Sequence, residues 1–247
     1  MCATSVPDRW RSFVLSVDLA VVIAAGDLPR RAALDAAWPG WADGLGLVVA
    51  ADGGARGARA LGLPLEAVVG DGDSLARAEV EALRAEGVEI EAWPTDKDAS
   101  DLELAVERAL RAEPGRLILL GAFGGPRLDH LLANVWLLGH PALAERDARA
   151  IDGSTRVRLL RGPGRAALEG RPEDLITLLP FGGEAEAVRT EGLRFPLHDE
   201  TLRGGSSRGL SNVRLSPRAA VTLGAGQLLI IESHPRTASH PQEDRTP

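Results

Sequence analysis

Leu47-Val48-Val49-Ala50-Ala51-Asp52-Gly53-Gly54 and Ala67-Val68-Val69-Gly70-Asp71-Gly72-Asp73-Ser74 are built alike. In each, a short apolar run stops at a turn of glycine and aspartate. A helical segment follows, ending near Gly62 in the first case and running through about Glu86 in the second. Short continuous apolar runs of this kind read as strands buried on both faces, the mark of a parallel sheet. The pattern extends outward in both directions. Leu19–Ala25 leads to Gly26-Asp27, Val88–Trp93 to Pro94-Thr95-Asp96-Lys97-Asp98, and Leu117–Leu120 to Gly121 through Gly125. Alternating strands and helices predict βαβ units, hence an α/β domain with a mostly parallel sheet between two helical layers, over residues 18–148.

The texture changes near residue 150. Thr155–Leu160, Leu175–Leu179, Ala187–Thr190, Ala220–Leu223 and Leu228–Ile231 are short β-favouring runs separated by Gly/Pro-rich turns. They predict a small all-β sandwich or barrel over residues 150–234. Residues 235–247 read as a polar, disordered tail.

The chain has 247 residues, enough for one large domain or two smaller ones. A single cysteine, Cys2, excludes a disulfide framework and a cysteine-built zinc site. Residues 1–150 carry 23 acidic and 15 basic side chains, whereas residues 151–234 carry 10 and 11. No basic face is expected, which argues against a nucleic-acid binder. An acidic domain can still hold a polyphosphate if metal cations intervene. Arg9 and Arg11 before the apolar stretch Phe13–Ala25 mimic a signal peptide, but Asp18 interrupts it and a turn follows. The stretch reads as a first buried strand, and the expected compartment is the cytoplasm.

In such sheets ligands bind outside the carboxyl ends of the strands. Seven of the thirteen aspartates in residues 1–150 fall there: Asp52, Asp71, Asp73, Asp96, Asp98, Asp101 and Asp129. Each alone is as well explained as a turn-former or helix cap. Together they would repel without a cation, and short carboxylates suit Mg²⁺ bound with substrate phosphates. Asp73 or Ser74 could cap the helix after them, and Ser100 with Glu103 fits a capping box. Lys97 is the sole lysine beside 27 arginines, and the chain has two asparagines, Asn134 and Asn212. A G/C-rich genome explains their rarity; a compact point charge against phosphate oxygens explains why one lysine persists. Gly124, Gly125 and Arg127 precede a helix with Asp129, His130 and Asn134, where glycines allow close backbone approach and Arg127 could clasp phosphate. His130 by itself is as readily a structural residue. Neither a GxxxxGK[ST] phosphate loop nor a GxGxxG turn occurs.

The ordered set Ala51-Asp52-Gly53-Gly54-Ala55, Gly70-Asp71-Gly72-Asp73-Ser74, Asp96-Lys97-Asp98-Ala99-Ser100-Asp101 and Gly125-Pro126-Arg127-Leu128-Asp129-His130 with Asn134 resembles the thiamine pyrophosphokinase family. Thr190-Glu191-Gly192-Leu193-Arg194-Phe195-Pro196-Leu197 and Gly209-Leu210-Ser211-Asn212 continue the resemblance. It implies an α/β nucleotide-binding domain followed by a β-sandwich that binds thiamine, paired in a homodimer with the active site at the subunit interface. It implies Mg²⁺-dependent transfer of diphosphate from ATP to the thiamine hydroxyl, giving AMP, with no nucleic-acid or membrane partner. Asp71, Asp73, Asp98 and Asp101 would then handle metal and phosphates. Lys97 and Arg127 would neutralise the polyphosphate, and Asp129 would position or activate the reacting groups. Asp52, Gly53, Gly54, Ser74, Gly124, Gly125, His130 and Asn134 would complete the ATP site. Phe195, Ser211 and Asn212 would contact thiamine. Three departures from the family pattern stand out: Pro126 lengthens its turn, Ser100 replaces a usual threonine, and Gly72 replaces a bulkier residue. The competing readings are a pyrophosphokinase for another small hydroxymethyl compound, such as a pterin, and a non-catalytic nucleotide or thiamine sensor.

Overall fold

The computed structural model describes residues 17–234. The 235–247 segment expected to be disordered, and the start of the Phe13–Ala25 stretch, lie outside the described residues. The first half of the chain runs β1 (Leu19–Ile23), α1 (Arg31–Ala37), β2 (Leu45–Ala51), α2 (Gly54–Ala60), β3 (Ala67–Gly70), α3 (Arg77–Ala85), β4 (Glu89–Ala92), α4 (Asp101–Leu110), β5 (Arg116–Leu120) and α5 (Leu128–Trp136). Two short 3-10 turns then lead to β6 (Asp147–Ile151), β7 (Thr155–Arg161), β8 (Gly164–Glu169), β9 (Leu175–Pro180) and β10 (Ala185–Glu191). The last strands are β11 (Glu200–Leu202), β12 (Asn212–Val213), β13 (Arg218–Leu223) and β14 (Gln227–Ser233).

Two compact units result, and they interleave in sequence. Among the described residues, one holds 17–25 with Ala42–Ile118; the other holds Gly26–Trp41 with 119–234. Residue 150 lies inside the second unit, which resumes at Leu119. Trp38 Nε1 donates to the Asp152 carbonyl at 2.6 Å, and His234 Nε2 lies 3.0 Å from the Ala37 carbonyl. Such bonds fasten the α1 segment to the strands far along the chain, which no local pattern announces.

In the first unit β1, β2, β3 and β4 pair in parallel, with Ile23 opposite Ala50, Ala51 opposite Val69 and Gly70 opposite Ala92. Leu47 to Ala51 are all buried, as a strand covered on both faces requires. Ala50, Ala55, Val68, Leu75, Leu83 and Val88 form one apolar cluster that joins α2 and α3 to the sheet. Leu102, Leu104, Ala105, Val106 and Ala109 are the buried residues of α4, which packs on β1, β2 and β3. Each fully buried leucine or valine contributes about 1.5–3 kcal/mol relative to exposure. The register brings the carboxyl ends of β2, β3 and β4 level, and with them three of the aspartate-bearing turns.

In the second unit one antiparallel sheet runs β6-β7-β14-β9-β12 and another runs β8-β13-β10-β11. Ile176, Leu178, Leu228 and Ile230 from the first meet Leu168, Val188 and Val221 from the second in a shared core. That is the expected sandwich. Strands β6, β8, β11 and β12 are additions to the expected set. Gly164–Glu169 reads GRAALE, with weak β propensity, and becomes a strand because it pairs with β13 along its whole length. Among the described residues, no helix is long and apolar enough to cross a membrane.

Candidate active site

Asp52 ends β2 with φ +41°, a left-handed conformation that aspartate and asparagine tolerate better than most residues. Its N–H donates to the Val69 carbonyl at 2.9 Å, and its Oδ2 accepts from the Ser74 N–H at 3.2 Å. Gly54 lets α2 start close against β1: a Cβ there would lie 2.0 Å from the Ile23 carbonyl oxygen. Gly70 serves the same purpose between carboxylates, since its Cβ would fall 3.0 Å from Asp52 Cβ and 3.2 Å from Asp101 Oδ1. Glycines here let three acidic turns converge.

They converge on one point. Asp52, Asp71 and Asp101 each offer a carboxylate oxygen, and these oxygens lie within 4.8 Å of one another. Lys97 Nζ stands 3.2 Å from Asp71 Oδ2 and 3.1 Å from Asp101 Oδ1, with its side chain only 11% exposed. Burial works against the Lys97 charge, but Asp101 and Asp71 outweigh it and hold the ammonium above its ordinary value. The Asp73 N–H and Lys97 hold the Asp71 carboxyl below the usual range. Asp52 is different: burial pushes its carboxyl up, and its Oδ1 is buried with no hydrogen-bond partner. Three carboxylates facing one ammonium leave an excess of two negative charges. An all-oxygen donor set with an orphaned buried oxygen fits a hard divalent cation.

This geometry redistributes the aspartates of the sequence reading. Asp73 and Asp98 are exposed and lie outside the three-carboxylate group. Asp73 Oδ1 accepts from Ser74 Oγ at 3.0 Å, while the Asp73 N–H donates to Asp71 Oδ1 at 3.2 Å. Neither Asp73 nor Ser74 caps α3, which begins after Ala76 and has the Ala76 N–H donating to Glu79 Oε2 at 2.8 Å. Ser100 does cap α4, accepting from the Glu103 N–H at 3.2 Å. Asp52, one of the seven strand-end aspartates and by resemblance a nucleotide contact, is among the three that meet. A cavity of about 180 Å³ opens beside Asp52 and Asp71, floored by Val68, Leu75 and Ile90.

The second unit carries the remaining candidates. Arg127 forms a two-pronged pair with Asp129, Nε to Oδ1 at 2.9 Å and Nη2 to Oδ2 at 2.6 Å, both side chains well exposed. That contact holds the Asp129 carboxyl far below the ordinary range and the guanidinium above its own. Asn134 Nδ2 donates to the Ala122 carbonyl at 3.0 Å, pinning α5 to the turn after β5. His130 is exposed in the first turn of α5. Asp27, absent from the candidate set, accepts from the Gly125 N–H at 3.2 Å and so braces the Gly124-Gly125 turn. Its position in the Gly26-Asp27 turn was the available signal.

Phe195 is 55% exposed, a large ring offered to solvent. Asn212, 6% exposed, holds it there: Oδ1 accepts from the Phe195 N–H at 2.9 Å and Nδ2 donates to the Phe195 carbonyl at 2.6 Å. Oδ1 also accepts from the Val213 N–H at 2.9 Å. The Asn212 amide is thus engaged with backbone. Ser211 is exposed with φ +53°, and its N–H donates to Thr177 Oγ1 at 3.0 Å.

Comparison with known proteins bears on the chain as a whole. A family model described as "Thiamin pyrophosphokinase, catalytic domain" matches residues 42–150, and one described as "Thiamin pyrophosphokinase, vitamin B1 binding domain" matches residues 167–228. The chain is 28% identical over 172 residues to the thiamine pyrophosphokinase of Bacillus subtilis (strain 168), covering 69% of this chain and 79% of that protein. The crystal structure of thiamine pyrophosphokinase from Bacillus subtilis superposes with a TM-score of 0.76 at 25% identity, covering 88% of this chain and 99% of that one. The thiamin pyrophosphokinase family protein of Enterococcus faecalis gives 0.72 at 26% identity, over 87% and 98%. Thiamin pyrophosphokinase from Candida albicans, at 14% identity and a TM-score of 0.69 over 90% and 91%, shares the fold.

Proposed function

Because the chain belongs to the thiamine pyrophosphokinase family, we propose that it catalyses transfer of the β,γ-diphosphoryl group of ATP to the hydroxyl of thiamine, with Mg²⁺. The hydroxyl oxygen forms a bond to the β-phosphorus, the bond from that phosphorus to the α,β-bridging oxygen breaks, and AMP leaves. The hydroxyl proton is released. The observation that carries the reading is the Asp52–Asp71–Asp101 group with Lys97 at the carboxyl ends of the strands. Readings as a pyrophosphokinase for another hydroxymethyl compound, or as a sensor, are not favoured, since both halves of the chain match the same family.

In this reading Asp52, Asp71 and Asp101 would hold the magnesium ion, with Asp73 and Asp98 as further carboxylates on the same turns. The bound ion supplies charge neutralisation for the triphosphate. The protein's own part is positioning and charge stabilisation, which dominate this kind of transfer. Lys97 is a compact cation fixed by two carboxylates, able to take a phosphate oxygen without reorganising. Arg127 binds phosphate through its fork when it exchanges Asp129 for the nucleotide. Asp129 aims Arg127 until the nucleotide takes its place. Gly53 and Gly54 in the first unit, and Gly124 and Gly125 in the second, let phosphate approach the backbone; Ser74 and His130 are further nucleotide contacts, and Asn134 fixes α5. Phe195 stacks on the cationic vitamin, Ser211 lines the same site, and Asn212 sets the ring in place.

We assign catalysis and nucleotide binding to residues 18–148 and thiamine binding to 150–234. A homodimer with a shared active site is what the family resemblance implies, and Leu128, Leu132 and Trp136, exposed at i, i+4 and i+8 along α5, offer an apolar stripe for pairing. The cytoplasm is the expected location. Purified protein incubated with ATP, Mg²⁺ and thiamine should release AMP only when thiamine is present. ADP as product, or AMP release indifferent to thiamine, would overturn the reading.

A further inference from the structure

Glu232 lies in the second unit, 2% exposed, and serves more cations than it can satisfy. Arg214 Nη2 reaches its Oε2 at 2.8 Å and Arg156 bonds its Oε1 at 2.9 Å. Arg158 approaches the same Oε1 only to 3.9 Å. Strand alternation places Arg156 and Arg158 on one face of β7, and the ladder sets Arg158 directly opposite Arg149 on β6. Like charges in that relation repel. Arg149 is itself bonded by both carboxylate oxygens of Asp147, so Asp147 is spent on a different cation.

Arg158 is therefore a cation without adequate compensation. Its side chain is 14% exposed, one Nη2 donates to the Ala167 carbonyl at 2.6 Å, and its Nε is buried with no hydrogen-bond partner. Burial, with repulsion from Arg149 and Arg156, outweighs Glu232 and brings the guanidinium down to about 10. Burying a charge so poorly paired is costly unless something else pairs with it. Arg158 borders a cavity of about 320 Å³ between the start of β6, the end of β7 and the start of β8, whose wall also includes Arg146, Arg165 and Asp147, the last neutralised by Arg149. Arg165 stands on the exposed rim, paired with Glu191.

We propose that this cavity binds a small oxyanion of the diphosphate class, with Arg158 as the central donor and Arg146 and Arg165 at its margin. The site lies wholly within the second unit and shares no residue with the acidic group at Asp52, Asp71 and Asp101. Its ligand is either free inorganic diphosphate or the diphosphate group of an ester.

The test is a titration of the full chain with inorganic diphosphate in EDTA, followed by ³¹P NMR and thermal unfolding. Without divalent cations the carboxylate group repels the anion, which removes that site from the reading. Wild type should bind saturably, and Arg158→Gln should weaken binding about tenfold or more, as loss of a charged hydrogen-bond donor does. If Arg158→Gln does not fold, Arg165→Gln provides the comparison, with binding weakened about threefold. A parallel titration with thiamine diphosphate separates the sources: equal affinity marks the inorganic group, tighter binding the ester, and both support the site if the arginine variants lose it. No binding by wild type, as when acidic side chains of a second copy fill the cavity, overturns the proposal. So does affinity unchanged in the variants.

Discussion

The side-chain amide of Asn212 brackets the backbone of Phe195, accepting from its N–H at 2.9 Å and donating to its carbonyl at 2.6 Å. Both bonds are needed to hold an extended loop still while its aromatic ring faces solvent. The two residues should fail differently. Phe195→Ala should raise the KM for thiamine about tenfold and leave stability within about 0.5 kcal/mol, because the ring is exposed. Asn212→Ala should raise KM similarly and also cost about 1–3 kcal/mol, since it strands buried backbone partners. The double variant should show little further rise in KM. Independent, multiplicative effects would mean that Asn212 does not act through Phe195.

Asp71 and Asp73 are two residues apart, yet only Asp71 lies in the three-carboxylate group and touches Lys97. Asp71→Asn should lower kcat by about 10²–10³ with the fold intact. Asp73→Asn should be distinctly milder, and added Mg²⁺ should recover part of its activity. Equal losses in steady-state assays would place both on the ion directly.

Asp52→Asn separates stability from function. Asparagine accepts the φ of +41° and can keep the bond to the Ser74 N–H. Burial raises the folded-state value of Asp52 above its unfolded one, so its ionised form weakens the fold. The native state binds more protons through that window, and stability falls as pH rises through it. In EDTA the variant should melt above wild type at neutral pH. It should lose the Mg²⁺-dependent rise in Tm that wild type displays. A lower Tm in EDTA would contradict the uncompensated charge.

Glu79 gives the opposite sign. Both its oxygens bond Arg56 at 2.6 Å and one also accepts from the Ala76 N–H, which brings its carboxyl from the ordinary 4.5 to about 2. Its contribution is fully present above the unfolded value and is lost as pH falls towards about 2. Glu79→Gln should therefore be less stable than wild type at about pH 5, and the gap should narrow at about pH 3. Urea midpoints at the two values check this. A gap that widens on acidification would be inconsistent with the assignment.

Much of the first unit was legible because its signals are local. Buried parallel strands must be continuous apolar runs, and turns between strand and helix favour glycine and aspartate, so β2, β3 and their acidic ends could be read directly. Helix α1 and strands β6 and β8 could not. Gly164–Glu169 has no strand pattern of its own and is extended because β13 lies beside it. Arg30 offers α1 no side-chain cap, and the segment is kept by distant bonds through Trp38 and Ala37.

The sequence by itself determined the architecture of alternating strands and helices followed by β structure, the family, and the inventory of charged groups at the strand ends. Periodicity, turn chemistry and ordered motifs are properties of neighbours along the chain. Tertiary structure decided which aspartates meet, because a carboxylate's partners depend on strand register and side-chain direction. It brought Asp52, Asp71 and Asp101 together and left Asp73 and Asp98 outside that group. It showed that Asn212 brackets the backbone of Phe195. It also left Arg158 buried beside a carboxylate already taken, a shortage visible only once β6, β7 and β14 lie side by side.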